Sequence, residues 1–327
     1  MVSSVRFGLI GAGRWGKIYV RTLLSLPDRC RLTHVCTSKP ENASLVPHPV
    51  TVLPRWQDLI WSDCEAVIIA TPPETHAEIL EACLEANKPC IVEKPLCLDV
   101  ATAERLHQRV ERSSIPVLVD HPHLFGASYA ALKQAVEQAR EPIRVILSEG
   151  AAFGPFRRNT PALWDWAPHD VSMVLDLLDQ MPEQIHVLGG PRSPQGDPEL
   201  LTIRLEFPGG SCAWIQAGRL AARKVRRLDV VTETRLYALD ELAAAPLSMA
   251  RIDFPHRYDG GHSESLAWSA IGEPSMCTPL ASMVTYFLDG LAGGDRRRFG
   301  TRLALDVTRV LATCERLLHA RAGAFAA

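Results

Sequence analysis

The sequence predicts a two-part α/β protein: a doubly wound parallel sheet over residues 1–123, then an α+β domain over residues 124–327 with a mostly antiparallel open sheet. Three observations carry this. Short, wholly apolar runs alternate with longer amphipathic stretches through the first third. A glycine-rich turn joins the first such run to the first amphipathic stretch. After His123 the alternation stops and strand-like stretches follow one another across Gly-containing turns.

The elements follow in order. Val5 to Ile10 reads as a buried strand, with a helical pattern from the glycine turn to about Leu26. Leu32 to Thr37 and Ala66 to Ala70 are further strands, and Glu74 to Ala86 is helical behind the latter. Ile91-Val92 and Val117 to Val119 each follow a helix. Fully apolar strands alternating with helices are the mark of a parallel sheet covered on both faces, and right-handed crossovers make it doubly wound. In the second part Ile143 to Phe153 reads as a long strand and Trp164 to Leu178 as one helix. Strand-like stretches then run from Ile185 to Leu239, with turns at Gly189-Gly190-Pro191 and Pro208-Gly209-Gly210. Neighbouring strands joined by short glycine turns predict antiparallel pairing. Helices near Leu280 to Leu291 and Leu303 to Ala320 close the chain.

Composition narrows the function. The chain has 327 residues, 47% hydrophobic and 22% charged, the balance of a globular protein. With 35 Lys and Arg against 37 Asp and Glu, the net charge is -2; a dedicated nucleic-acid binder shows a basic excess instead. The nine cysteines, at positions 30, 36, 64, 83, 90, 97, 212, 277 and 314, contain no C-x-x-C pair and lie largely in apolar stretches. They read as buried free thiols of a reducing compartment rather than a disulfide framework or zinc site. Met1-Val2-Ser3-Ser4 opens without a basic region and cleavable apolar core, and no apolar run approaches the roughly 20 residues that span a bilayer. A cytoplasmic protein with no membrane partner is expected.

Gly11-Ala12-Gly13-Arg14-Trp15-Gly16 is a G-x-G-x-x-G turn between the first strand and first helix. The first glycine makes the turn, the second lets backbone approach a pyrophosphate, and the third lets helix and strand pack closely. Helix N-terminal amides then hold the phosphates, so Gly11, Gly13, Arg14, Trp15 and Gly16 are cofactor candidates and the domain reads as a Rossmann domain. An acidic residue about 20 positions further on would bind the ribose hydroxyls of NAD. Here the sequence has Thr37-Ser38-Lys39, two hydroxyls and a cation without a carboxylate. That set suits the phosphate of NADP, with NAD as the other possibility if Lys39 is only a solvated loop residue.

Further on, Ala66-Val67-Ile68-Ile69-Ala70-Thr71-Pro72-Pro73-Glu74-Thr75-His76 precedes Val92-Glu93-Lys94-Pro95, and Trp164-Asp165-Trp166-Ala167-Pro168-His169-Asp170 follows about 70 residues later. With the glycine turn, these stretches closely resemble the Gfo/Idh/MocA family of NAD(P)-dependent oxidoreductases over nearly the whole chain. The resemblance implies hydride transfer between nicotinamide and a secondary alcohol or ketone of a sugar, polyol or nucleotide-sugar. The W-D-x-x-P-H-D stretch looks similar to members near the nucleotide-sugar ketoreductases; a simple polyol or inositol dehydrogenase is the alternative within the class. It also implies a homodimer or homotetramer joined through the open sheet.

Residue roles follow from the resemblance and the chemistry together. Oxidising an alcohol needs a base for the hydroxyl proton while hydride leaves to the cofactor. His169 matches the family's acid/base position. Lys94, at a parallel strand's C-terminal end where open α/β sheets bind ligands, polarises the substrate oxygen or shares the proton transfer. Pro95 matches a proline often in a cis peptide. Asp165 and His169, at i and i+4, share a helix face, which makes Asp165 a substrate or supporting carboxylate; an N-cap is its other reading. Pro168 fits only a first helical turn and so puts both at a helix N-terminus.

Thr71, Pro72 and His76 match the stretch lining the nicotinamide ribose. Glu93 positions the cofactor or caps the strand end. His121 is a substrate-pocket residue by resemblance; His121 and His123, at i and i+2 on a strand, point apart and cannot share one metal. Arg157-Arg158-Asn159 matches a loop near the substrate that would suit a phosphate-bearing group. Arg296-Arg297-Arg298 reads as a solvated corner. Thr232-Glu233-Thr234 departs from the family's Gly-containing turn and puts the local sheet structure there in question. A non-catalytic NADP-binding regulator of the same fold is the rival class, against which Lys94, Asp165 and His169 together argue.

Overall fold

A computed structural model describes residues 4–39, 49–157, 160–252, 266–272 and 277–324, with side chains to residue 320. Its elements are β1 (Val5–Ile10), α1 (Arg14–Leu24), β2 (Cys30–Cys36), β3 (Thr51–Leu53), α2 (Trp56–Ile60), β4 (Ala66–Ile69), α3 (His76–Glu85), β5 (Cys90–Val92), α4 (Val100–Glu111) and β6 (Val117–Val119). Then come α5 (Ala127–Ala139), β7 (Val145–Phe153), α6 (Ala162–Asp165), α7 (Ala167–Leu178), β8 (Gln184–Gly189), β9 (Leu200–Glu206), β10 (Cys212–Gly218), β11 (Leu220–Val231), β12 (Arg235–Asp240), β13 (Leu247–Arg251), β14 (Ser269–Ala270), α8 (Pro279–Leu291) and α9 (Arg302–Ala324). The chain divides into two compact units, one of residues 1–122 with 277–308, the other of residues 123–276 with 309–327.

The first unit holds a six-stranded parallel sheet in the order β3-β2-β1-β4-β5-β6, the doubly wound order with its switch point beside β1. Ile10, Val67, Ile69, Cys90, Val92 and Val117 are buried in one cluster with Leu80 and Leu106 of the covering helices. That explains why their strands carry no polar alternation. β3 is the strand the apolar pattern does not announce, for it is three residues long at the sheet edge with exposed Val52.

The unit also takes in residues 277–308, which the sequence pattern groups with the second half. The reason is apolar packing and a few long-range polar links. Phe287 of α8 is fully buried between Phe7, at 6.1 Å, and Phe299, at 5.5 Å. Gly300 N–H donates to Val117 O at 2.7 Å, and Ala304 joins the sheet's core cluster. Burying one such aromatic contributes about 1.5–3 kcal/mol.

The second unit holds an eight-stranded sheet in the order β14-β13-β12-β11-β7-β10-β9-β8, antiparallel except for the parallel pair β7 and β10. One face is lined by Ile146, Ile203, Leu205, Ala213, Ile215, Leu228 and Val230, all buried, with α7 packed on β7 and β10. On the other face Trp214 and Leu147 are cross-strand partners, 42% and 45% exposed, and the Arg204 guanidinium lies 5.0 Å over the Trp214 ring.

The departure at Thr232-Glu233-Thr234 has a local cause. Glu141 accepts from Thr232 Oγ1 at 2.6 Å and from Thr234 N–H and Oγ1 at 3.0 and 2.6 Å, and pairs with Arg235. A carboxylate latch therefore does the work of a glycine turn. Burial acts to raise the Glu141 pKa, but the Thr232 and Thr234 bonds and Arg235 outweigh it and hold the group down from 4.5 to about 2. A group depressed in the folded state contributes stability that is present above its unfolded pKa and lost as pH falls through its folded one. The melting temperature of the wild type is thus expected to fall between about pH 4.5 and 2 partly through this group. Glu141→Gln should flatten that limb in thermal denaturation; an unchanged limb would exclude the latch.

Candidate active site

The glycine turn sits at the switch point of the parallel sheet. Gly11 has φ 99°, and a Cβ there would lie 2.5 Å from Ala70 O; one at Gly16 would lie 2.0 Å from Gly11 O. Both positions are closed to any other residue. Gly13 differs, for nothing lies within 4 Å of where its Cβ would be. It caps α1 without a side-chain bond, and the first turn carries no acidic residue. Arg14 is exposed and Trp15 half-buried beside it. Open space before helix N-terminal amides and their partial positive charge fit the pyrophosphate of a dinucleotide.

At the end of β2, Lys39 N–H donates to Thr37 Oγ1 at 3.2 Å, which fixes the Thr37-Ser38-Lys39 turn with Ser38 and Lys39 exposed. Thr71 and Pro72 follow β4, where Thr71 Oγ1 accepts from Thr75 Oγ1 at 2.6 Å. His76, which resemblance placed at the cofactor ribose, is instead fully buried. Its Nδ1 meets Pro95 O and its Nε2 Thr71 O, both at 2.9 Å. Burial holds its pKa below the usual value in spite of those carbonyls. The buried ring thus lies between the Thr71 turn and the segment after Lys94, where a neutral imidazole has one N–H to donate to one of the two carbonyls.

Glu93, Lys94 and Pro95 follow β5, and the Lys94–Pro95 peptide is cis. Lys94 is 8% exposed and Glu93 5%. Asp120, after β6, is buried too and accepts from Tyr19 Oη of α1 at 2.5 Å. Burial and then Asp120 push the Glu93 carboxyl well above the usual carboxylate range, with Lys94 opposing. Like charges in a dry site resist double ionisation, and the neighbouring Lys94 draws the Glu93 carboxyl the other way. His121 is buried beyond Asp120. The spacing of residues carries no trace of the Tyr19 link, because its partners are 101 positions apart.

In the second unit the expected single helix from Trp164 is broken at Trp166, which ends α6 and caps α7. Pro168 stands in the first turn of α7, where it lacks the N–H to continue a helix from α6. His169 therefore lies in that first turn as expected, and Asp165 at the end of the preceding helix. Asp165 is held instead by two arginines. Oδ2 lies 3.0 Å from Arg219 Nη2 and Oδ1 3.3 Å from Arg157 Nη1. Arg219, between β10 and β11, has no exposed surface; it also pairs with Glu199 Oε2 at 3.1 Å and donates to Thr160 O at 2.7 Å. Nothing along the chain sets Arg219 apart, for Arg223, Lys224, Arg226 and Arg227 follow it within Leu220–Val231. Arg158 and Asn159 lie outside the described residues.

Next to His169 lie His123 and Asp170, each with its own partners. The His123 ring meets it edge-to-face, centroids 4.8 Å apart, and His123 Nδ1 lies 2.7 and 2.9 Å from the Glu241 oxygens. Asp170 is buried, accepts from Ser148 Oγ at 2.6 Å and lies 4.0 Å from Arg226, whose guanidinium is 4.7 Å over the Trp166 ring. Burial raises the Asp170 pKa against the pull of Arg226 and Ser148. Gly150 leaves room for the pair, since a Cβ there would be 2.4 Å from both Arg226 Nη1 and Asp170 Oδ2. Arg296, Arg297 and Arg298 lie elsewhere; Arg297 pairs with Asp295 at 2.9 Å on the surface.

All nine cysteines are free thiols, seven of them buried, with Cys212 half-buried and Cys277 exposed. Among the described residues no three His, Cys, Asp or Glu side chains could hold a metal, and no helix is long and apolar enough to cross a membrane.

Comparisons with known proteins bear on the family and the fold. Residues 5–121 match the GFO_IDH_MocA model, an oxidoreductase family with an NAD-binding Rossmann fold. A solved chain from Magnetospirillum magnetotacticum MS-1, provisionally assigned as an oxidoreductase, is 34% identical, with a TM-score of 0.84 over 95% of this chain and 100% of its own. An inositol 2-dehydrogenase of Rhizobium meliloti is 27% identical over 231 residues, 67% of this chain and 70% of the relative. A UDP-N-acetylglucosamine 3-dehydrogenase of Acidithiobacillus ferrooxidans is 23% identical over 240 residues, 73% of this chain and 74% of the relative.

Proposed function

The chain belongs to the Gfo/Idh/MocA family of oxidoreductases, and from that we propose that it transfers hydride between NAD(P) and a secondary alcohol or ketone of a sugar, polyol or nucleotide-sugar. The observation that carries the reading is Lys94, a nearly buried ammonium at the C-terminal end of β5, in the unit whose glycine turn leaves open space at Gly13. When bound, the nicotinamide would accept or return the hydride. The chain's own residues do the rest. Lys94 donates to the substrate oxygen and favours the alkoxide, and His169 takes the hydroxyl proton. Asp165, tied to Arg157 and Arg219, holds the segment that leads into α7 rather than moving a proton.

The purified protein is to be screened with sugars, polyols and nucleotide-sugars, with NADP and with NAD, by nicotinamide absorbance. Turnover of one class supports the reading and names the substrate. Silence over the panel together with tight NADPH binding would reject it for a regulator of the same fold.

Cofactor choice and assembly extend the proposal. The exposed Ser38 and Lys39 at the end of β2, with no carboxylate, support preference for NADP. Lys39→Ala is expected to weaken NADPH by about tenfold, some 1.4 kcal/mol, and NADH hardly at all; equal losses in fluorescence titrations would reject the preference. The exposed Trp214 and Leu147 on the outer sheet face, ringed by polar and charged side chains such as Arg204, Glu149 and Asp229, support a homodimer or homotetramer, since interfaces join an aromatic centre to a polar rim. Light scattering should show an oligomer, and a monomer would remove that part. Seven buried free thiols favour a reducing, cytoplasmic setting.

A further inference from the structure

We propose that Glu241 and His123 form a positioning pair for His169, fixing the ring beside it and stabilising the imidazolium that forms when it takes the substrate proton. This rests on the reading of His169 as proton acceptor. All three residues lie within the second unit.

The contacts are specific. Both Glu241 oxygens lie within 2.9 Å of His123 Nδ1. Burial acts to raise the Glu241 pKa, but the hydrogen bond from His123, then Arg226 and Lys224, bring it below the usual carboxylate value. An ionised carboxylate only accepts, so His123 Nδ1 carries the hydrogen and its tautomer is set. The ring thus fixed meets His169 edge-to-face at 71°.

Glu241 is fixed in turn. It follows β12, and its N–H donates to Arg226 O of β11 at 3.0 Å. A neutral acceptor would satisfy a structural histidine equally well. A carboxylate adds negative charge one ring away from His169, which favours the protonated form of the acceptor at the moment of transfer. The other charged groups facing the pair are Asp170, Arg226 and Lys224. Because Arg226 already faces Asp170 at 4.0 Å, it does not leave Glu241 fully neutralised.

Three variants separate position from charge. Glu241→Ala removes both, Glu241→Gln keeps an acceptor without charge, and His123→Phe keeps the edge-to-face ring but cuts the link to Glu241. Glu241→Ala and His123→Phe should each lower kcat by about 10–100-fold, the usual cost of losing an orienting partner, with KM within about threefold. Glu241→Gln should fall between these and the wild type. Ring-nitrogen spectra of histidine-labelled full-length protein should show the Nδ1–H tautomer of His123 in the wild type and Glu241→Gln, its loss in Glu241→Ala, and moved His169 signals in Glu241→Ala and His123→Phe. Unmoved His169 signals overturn the pair even where turnover falls, and so does wild-type kcat in Glu241→Ala. The spectra need no substrate, so a chain that turns nothing over would fail the functional reading while still deciding the pairing.

Discussion

Lys94→Ala should lower turnover by about 10²–10³-fold, the loss that follows removal of one preorganised donor to a developing oxyanion. The effect is large because the donor is scarce and dry: Lys94 is 8% exposed and sits where β5 ends, at the ligand-binding edge of the sheet. Removing it leaves the glycine turn untouched, so NADPH and NADH dissociation constants should stay within a few-fold. Lys94→Arg is the sharper variant. It keeps a cation beside the raised carboxyl of Glu93 but moves the donor, and should remain near the alanine level. His169→Ala should cost 10²–10⁴-fold by loss of the proton acceptor. Full activity in either alanine variant, measured by nicotinamide absorbance on the substrate found, rejects that residue's role.

The largest effect on stability is expected at Arg219. Its guanidinium, with no exposed surface, is the buried cation between Asp165 and Glu199. Arg219→Met keeps an unbranched apolar stem but removes the guanidinium and strands two nearly buried carboxylates. Breaking a buried pair from one side typically costs about 3–5 kcal/mol, because a charge remains without compensation. For a cooperative unit of about 150–250 residues, the range in which the second unit falls, that is roughly 6–20 °C in melting temperature at about 2–4 °C per kcal/mol. Arg219→Lys should fall between, since one ammonium cannot reach Asp165, Glu199 and the Thr160 carbonyl with the fork that a guanidinium provides. Scanning calorimetry decides this, and a near-normal melting temperature for Arg219→Met would show that the site relaxes around its carboxylates. Asp165→Asn should then lose stability with little direct effect on proton transfer, in keeping with its holding role.

Much of the site was readable along the chain, for a clear physical reason. The strand–glycine–helix turn at Gly11 to Gly16 and the strand end at Lys94 are local features. Their periodicity and backbone demands are met within a few neighbouring residues, as the closed positions of Gly11 and Gly16 show. The same holds for the first-turn place of Pro168, which put His169 at a helix start. Reading Trp164 to Leu178 as one helix failed at Asp165 because the apolar pattern runs across the break while only the proline marks it. The burial of His76 against a carbonyl 19 residues away is not legible in the spacing of the chain.

The sequence by itself therefore determined the parallel sheet, the dinucleotide turn, the strand-end lysine and the helix-start histidine, since each follows from local spacing and backbone sterics. Only the tertiary structure decided that Arg219 holds Asp165, that Glu241 holds His123 against His169, and that residues 277–308 pack with the first unit. Those partners stand 54 and 118 positions apart in the two polar links. Buried charges choose partners by proximity in the folded core, where desolvation makes an unpaired charge costly, and separation along the chain places no constraint on which residues meet there.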